Sequence, residues 1–305
     1  MLIRILGSAA GGGFPQWNCN CTNCRGVRDG SLDARPRTQS SIAISSDAER
    51  WILFNASPDL HRQIQANPPL QPRRELRDTP IAAVVLADGQ IDHTAGLLLM
   101  REHRQPLQVY ATAAVHQDLT TGLPLLSVLQ HYCGVEWREI ALDGAPLQIA
   151  ALPGIEISVL AVDGKPGPYS PFRHNPRAGD NIAFLMHEVA SGRRAFYAPG
   201  LAAITPPVRA ALEASHCVLV DGTFWLDDEM IRAGVSTKRA ADLGHLPQSG
   251  PGGMIEMLKS LRNDTRRILV HINNTNPILV DSGPERAQLD ASGIEVAFDG
   301  MEIRL

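Results

Sequence analysis

The seven-residue apolar run Ile81 to Ala87 ends abruptly in Asp88-Gly-Gln90-Ile-Asp92-His93, and no other stretch constrains the fold as tightly. A continuous apolar run of this length, bounded by turn residues, reads as a strand buried on both faces. Its polar end then carries two acids, an amide and an imidazole in six positions. The apolar Leu97 to Met100 lies too far along to belong to the same strand and predicts a helix after the turn. Asp92 and His93, adjacent on a strand-to-helix turn, can both reach one cation. A carboxylate oxygen beside an imidazole nitrogen suits zinc or iron.

The rest of the chain repeats the strand-then-turn pattern. Leu2 to Leu6 predicts a first strand, followed by the glycine-rich turn Gly7 to Pro15. That turn lacks the Lys-Ser/Thr ending of a nucleotide-binding loop, and no helix pattern comes at once after it, so its glycines are read as permitting close backbone approach near a site. Ser41 to Ser45 and Trp51 to Asn55 predict paired strands, and Ser57-Pro58-Asp59 a helix start with Ser as cap. His61 on that helix is expected at the surface. The Pro- and Arg-rich span from Pro68 to Pro80 predicts a loop that borders a substrate cleft. Leu107 to Ala111, Ile155 to Val162, Asn181 to His187, Arg194 to Ala198, Cys217 to Val220 and Arg267 to Val270 predict further strands, and 112–121, 206–214 and 254–261 predict helices. The long loop Asp163 to His174 between two of these strands is of a length that is often functional. Strands alternating with helices through both halves, with no linker or repeat, predict one layered α/β domain over 1–305.

Asn18-Cys19-Asn-Cys21-Thr-Asn-Cys24, within a cysteine-rich loop at 18–25, places three thiols in six positions on a polar stretch. Thiolates at that density favour a shared cation such as zinc, with a fourth ligand from elsewhere. Cys133 and Cys217 lie among apolar residues and are expected in the core. Five cysteines used this way fit a reducing compartment better than a disulfide framework. The net charge of −4 argues against nucleic acid as a partner, which needs a basic stripe. Arg73 and Arg74 are the local exception and are expected to be solvated. With no long apolar span and no export signal at the N-terminus, the expectation is a cytoplasmic protein with no membrane contact.

Taken together these strand-end residues resemble the metallo-β-lactamase superfamily and, within it, its pyrroloquinoline quinone (PQQ) biosynthesis family. The likeness runs over nearly the whole chain. It rests on the opening from Gly7 through Cys24, on Asp92-His93-Thr-Ala-Gly96, on Tyr197-Ala-Pro-Gly200, on Asp221-Gly-Thr-Phe-Trp225, on Gly244-His245-Leu-Pro247 and on His271 to Pro277. The resemblance implies a four-layer αββα sandwich with metal at the strand ends. The superfamily pattern is His-x-His-x-Asp-His, whose first two histidines are here Asp88 and Gln90. By the same resemblance the middle histidine falls at Gly164, the bridging Asp falls near Gly200, and the last histidine is kept as His271.

The resemblance therefore implies a lost first metal position and an intact second one, formed by Asp92, His93 and His271. Two histidines and one carboxylate with open positions opposite are the facial set of non-heme Fe(II) oxygenases. The implied cofactors are Fe(II) at this triad and a structural Zn(II) at Cys19, Cys21 and Cys24. Related phosphodiesterases complete the zinc site with a histidine where this chain has Asn274. The implied activity is O2-dependent hydroxylation of the tyrosine ring of a cross-linked Glu-Tyr precursor of PQQ. Asp88, Gln90 and His245 beside the triad are then expected to assist catalysis, and Lys165 and Arg173 of the loop Asp163 to His174 to bind the substrate's carboxylates. Two other readings stay open: a hydrolase whose second metal site is rebuilt from His245, Asp88 and Asp221, and a non-catalytic carrier or transport protein for PQQ or its precursor. A homodimer is also compatible.

Overall fold

The computed structural model describes all residues from Met1 to Leu305. Its first half contributes strands β1 (Leu2–Gly7), β2 (Ser41–Ser45), β3 (Trp51–Phe54), β4 (Ile81–Val85), β5 (Leu107–Ala111) and β6 (Val135–Glu139). The second contributes β7 (Ile155–Ala161), β8 (Ile182–Glu188), β9 (Arg194–Ala198), β10 (Cys217–Asp221), β11 (Arg266–Val270), β12 (Ile294–Val296) and β13 (Glu302–Arg304). These form a seven-stranded sheet in the order β13-β1-β2-β3-β4-β5-β6 and a six-stranded sheet in the order β12-β11-β10-β9-β8-β7. Both are mixed, with parallel strands at β3 to β6 and at β9 to β12.

Strands that read as unbroken apolar runs are the ones covered on both faces. Alternate residues of β2 to β4, such as Ile42, Ile44, Phe54 and Val85, meet Phe184, Tyr197 and Leu219 of the other sheet in a buried inter-sheet core. Phe54 packs edge-on against Phe184 at a centroid distance of 5.0 Å. On the outer face of the first sheet, Leu53, Val84 and Val109 are covered by Val115, Leu119 and Leu126 of the helices Ala113–Thr120 and Leu125–Leu129. On that of the second, Phe196, Val218 and Leu269 are covered by Val208, Leu212 and Leu258 of the helices Pro206–Glu213 and Met254–Ser260. The result is the expected αββα sandwich. No helix is long and apolar enough to cross a membrane.

Several local expectations need correction. The helix expected at Ser57 starts at Leu60, because Ser57 Oγ closes a turn by accepting the Asp59 N–H at 3.2 Å. The segment after the motif is a single α turn, Ile91–Thr94, followed by a 3-10 segment, Ala95–Met100. A helix does follow the glycine-rich turn, after Cys21, at Thr22–Asp29. The loop 68–80 faces a separate groove shared with residues 99–105, away from the polar strand ends. Cys217 is in the core as expected, whereas Cys133 is only half-buried.

Candidate metal centre

At the end of β4 the backbone is held before the ligands begin. Asn55 Oδ1 accepts the Ala87 N–H at 2.9 Å, and Asp88 Oδ1 accepts the Gln90 N–H at 2.9 Å, closing a turn that starts the Ile91–Thr94 helical turn. His93 is thereby buried, with Nδ1 2.9 and 2.8 Å from the two oxygens of Asp88. Its Nε2 is buried without any hydrogen-bond partner. An orphaned imidazole nitrogen beside a carboxylate costs free energy unless something electrophilic occupies the space. Asp92 Oδ2 lies 3.8 Å from His93 Nε2 and 3.5 Å from His271 Nε2. Three donor atoms therefore converge around one point, a set that fits a divalent cation.

His271 arrives from the other sheet, on the residue after β11, in the left-handed region at φ 57°. Its Nδ1–H donates to Thr223 Oγ1 at 2.8 Å, and that hydroxyl donates to Asp221 Oδ1 at 2.6 Å. Asp221 Oδ2 accepts from His245 Nδ1 at 2.6 Å and from the Leu201 N–H at 2.8 Å. Each of the three histidines thus has Nδ1 fixed from behind, by Asp88, Thr223 or Asp221, and keeps Nε2 as its free nitrogen. Such outer partners set the tautomer and raise ligand basicity. Although Asp221, His245 and His271 also cluster, Asp221 is fully buried and already accepts four hydrogen bonds, the Thr223 N–H at 2.9 Å included. A carboxylate with its lone pairs filled this way orients its neighbours and is not available to a second metal.

The positions where the resemblance places the other metal's ligands are each turned away or filled. Asp88 faces His93, and Gln90 Nε2 donates to the Lys165 carbonyl at 2.9 Å. A Cβ at Gly164 would lie 2.6 to 2.8 Å from the Asn181 amide, closer than real Cβ atoms come, so no side chain fits there while Asn181 stands. Gly200 offers no ligand, and a Cβ there would sit 3.9 Å from His245 Cε1. The glycine-rich turn does approach the site as its composition suggested: a Cβ on Gly11 would come to 3.1 Å from Asp92 Oδ2.

The electrostatics are set by this geometry. Burial pulls the His93 imidazole down but is outweighed by Asp88 and Asp92, which hold it up at about 9. Burial raises Asp92, and His93 with His271 outweigh it, keeping the carboxylate well below its usual range. Burial likewise lowers His245 and is outweighed by Asp221, so the net direction is up. In the metal-free protein the charged His93 contributes stability fully below its unfolded value near 6.5, and that contribution is lost as pH rises through about 9. A metal must displace the same proton. Metal affinity is therefore expected to climb about tenfold per pH unit from pH 6.5 toward 9, read by chelator competition at pH 6.5, 7.5 and 8.5. A flat profile would contradict this protonation state.

The triad opens into a cavity of ≈ 270 Å³ that Gln90, His245, Lys165 and Arg173 also line. Lys165 Nζ reaches the Asp242 carbonyl at 2.6 Å, and Arg173 reaches the Pro166 carbonyl. Asn181 and Lys238 line it as well. Neither stands out in the sequence: Asn181 opens a predicted strand, Lys238 sits in a polar loop, and only the fold brings them to the triad.

On the far side of the His271 loop, the sulfurs of Cys19, Cys21 and Cys24 converge. Asn274 Nδ2 stands 3.1, 3.6 and 3.3 Å from them. Ligand atoms around a tetrahedral zinc are about 3.6 Å apart when Zn–S is about 2.3 Å and Zn–O about 2.1 Å. The Asn274 amide therefore lies near the distance a fourth ligand would have, and turning it about its terminal bond would present Oδ1 to the three sulfurs. Asn23 Nδ2 locks this loop by donating to the Asn274 and Asn276 carbonyls at 3.1 and 3.0 Å.

Residues 50–272 match the family model described as Beta-lactamase superfamily domain. Coenzyme PQQ synthesis protein B of Azoarcus sp. (strain BH72) is 58% identical over 305 residues, covering all of both chains. That of Methylococcus capsulatus is 55% identical over the same full length. The crystal structure of Zn(2+)-bound PqqB from Methylobacterium extorquens has a TM-score of 0.91 at 40% identity, with both chains fully covered. A diphosphatase from the PhnP family shares the fold, with a TM-score of 0.69 at 16% identity, over 100% of this chain and 97% of its own. With full-length likeness at this identity, an αββα sandwich and the polar residues gathered at its strand ends, the chain belongs to the PqqB family of the β-lactamase superfamily.

Proposed function

We propose that this protein acts in PQQ biosynthesis as an iron- and O2-dependent hydroxylase of the tyrosine ring in a cross-linked Glu-Tyr precursor. One observation carries the reading: a complete Asp92, His93, His271 set whose companion position is filled by Asn181 and by turned-away Asp88 and Gln90. A bridging hydroxide between two metals needs the second cation, and Asp88, Gln90 and Asp221 are all engaged in hydrogen bonds within the protein. Family membership supports the biosynthetic context, and a Zn(2+)-bound relative supports metal binding. Fe(II) held by Asp92, His93 and His271 would supply the redox chemistry that O2 requires.

The chain's own residues hold and move protons around that set. Asp88, spent on His93, fixes the ligand's tautomer and is not free to take a ring proton. His245, tied through Nδ1 to Asp221 and raised above its ordinary value, holds the exchangeable proton of the cavity and can pass it through Nε2. Gln90 anchors the 163–174 loop through the Lys165 carbonyl. Arg173 on that loop supplies a planar cation suited to carboxylate. We propose further that Cys19, Cys21, Cys24 and Asn274 hold a structural zinc. The deciding experiment loads iron anaerobically, adds the cross-linked Glu-Tyr precursor, then admits O2 and follows product mass. Gain of oxygen only with both iron and O2 supports the reading; hydrolysis without O2, or binding with no conversion, refutes it. Arg173→Ala should raise the precursor dissociation constant roughly tenfold while metal content stays constant, and unchanged binding in calorimetry would remove Arg173 from the substrate site.

A further inference from the structure

The cavity contains two polar groups that the protein itself does not use. Asn181 stands beside the metal motif because its backbone bridges that of Asp88, while Ile182 N–H donates to the Ala87 carbonyl at 2.9 Å where the two sheets meet. Its side-chain Nδ2 is buried and has no hydrogen-bond partner, and Asn181 is one of the residues that line the same cavity as Asp92, His93 and His271. The amide is held in place by Gly164, whose missing Cβ is the space it fills. Lys238, an exposed residue, also lines the cavity; Lys165 and Arg173 each give one hydrogen bond to a backbone carbonyl, whereas the Lys238 ammonium makes neither an ion pair nor a hydrogen bond. An unpaired buried donor costs free energy that an incoming acceptor recovers, and a free ammonium at a cavity wall is a point charge for a carboxylate.

We propose that Asn181 and Lys238 form a two-point subsite for an oxygen-rich organic anion: the Asn181 amide donates to a substrate oxygen next to the metal, and Lys238 pairs with a substrate carboxylate. No bond is made or broken in this step. The subsite deepens the hydroxylase reading by naming groups that would position its substrate, yet it stands on geometry that a carrier of the same anion would share.

The test uses the full-length zinc-loaded protein, which is redox-silent, titrated calorimetrically with two probes: 3,4-dihydroxyphenylacetate, which carries a carboxylate, and catechol, which does not. Asn181→Ala should weaken both probes roughly tenfold or more, since a hydrogen bond to a charged or strongly polarised oxygen is lost. Asn181→Asp, equal in size, should weaken them further by repulsion. Lys238→Ala should weaken only the carboxylate-bearing probe, by roughly threefold to tenfold. Zinc content and melting temperature should match wild type in all three. The proposal is overturned if Asn181→Ala and Asn181→Asp bind both probes like wild type, if Lys238→Ala affects the two probes equally, or if wild type binds neither. Because no O2 chemistry is read, the hydroxylase assignment can fail in the mass experiment while this subsite holds, and the reverse.

Discussion

Replacing His271 by alanine should leave a folded protein that no longer retains iron, with O2-dependent product formation falling to background. The residue supplies one of three donor atoms and reaches the site only through its left-handed backbone and its bond to Thr223. Deleting it leaves two donors about 3.8 Å apart, too few for stable loading. His93→Ala should behave alike, whereas Asp88→Asn should weaken iron affinity by roughly tenfold to a hundredfold, because only the orientation and basicity of His93 are disturbed. Asp88→Asn separates the two roles best: it keeps the side-chain shape and loses the charge that holds the imidazole. Iron per chain by elemental analysis, beside product mass after O2 exposure, reads the series. Full iron and activity in His271→Ala would end the triad assignment.

Removing the zinc proposed for Cys19, Cys21 and Cys24 should be the most destabilising change around the candidate metal sites. Cys21→Ser, or stripping with a strong chelator, is expected to lower the melting temperature by roughly 10 °C, since closed thiolate sites return binding free energy as folding free energy. The chain path adds a second effect. Asn274 lies three positions after His271, and Ile272 is pinned on both sides, its carbonyl accepting from the Ala10 N–H and its N–H donating to the Ser8 carbonyl, each at 2.9 Å. Loosening the cysteine loop should therefore lower iron content too, though every active-site ligand is untouched. Zinc content, thermal melting and iron content of Cys21→Ser check this together; unchanged values would show the cysteines to be ordinary buried thiols.

Part of this architecture is legible from the residues alone because the signal is local. An apolar run ending in Asp92 and His93, another ending in His271, and three thiols in six positions each carry their chemistry within one short segment. Strands such as β6 escape a reading by pattern because Val135–Glu139 is an exposed edge with charged residues at alternate positions, and β12 and β13 are three residues long. The 68–80 loop lies elsewhere than expected because composition marks a loop without saying what it faces. The closing of the first metal position is out of reach for a different reason. It depends on the amide of Asn181 meeting the empty side of Gly164, a contact between two residues that neither spacing nor periodicity connects.

The stitch between Ala10 and Ile272 also sets a schedule. The triad takes two donors from the turn after β4 and one from the turn after β11, and the latter is clamped by residues from the first turn of the chain. A growing polypeptide could pair β1 with β2 and β2 with β3 early, since those contacts are short in sequence. It could not bring the Asp92, His93 and His271 donors together until His271 had been made, nearly nine-tenths of the way along the 305 residues. Such distant contacts form late and slowly relative to hairpins. Metal loading at the proposed site would thus follow synthesis. The cation that enters is the one available to a nearly finished fold, and growth conditions during and after expression should decide whether zinc or iron is found in the purified protein.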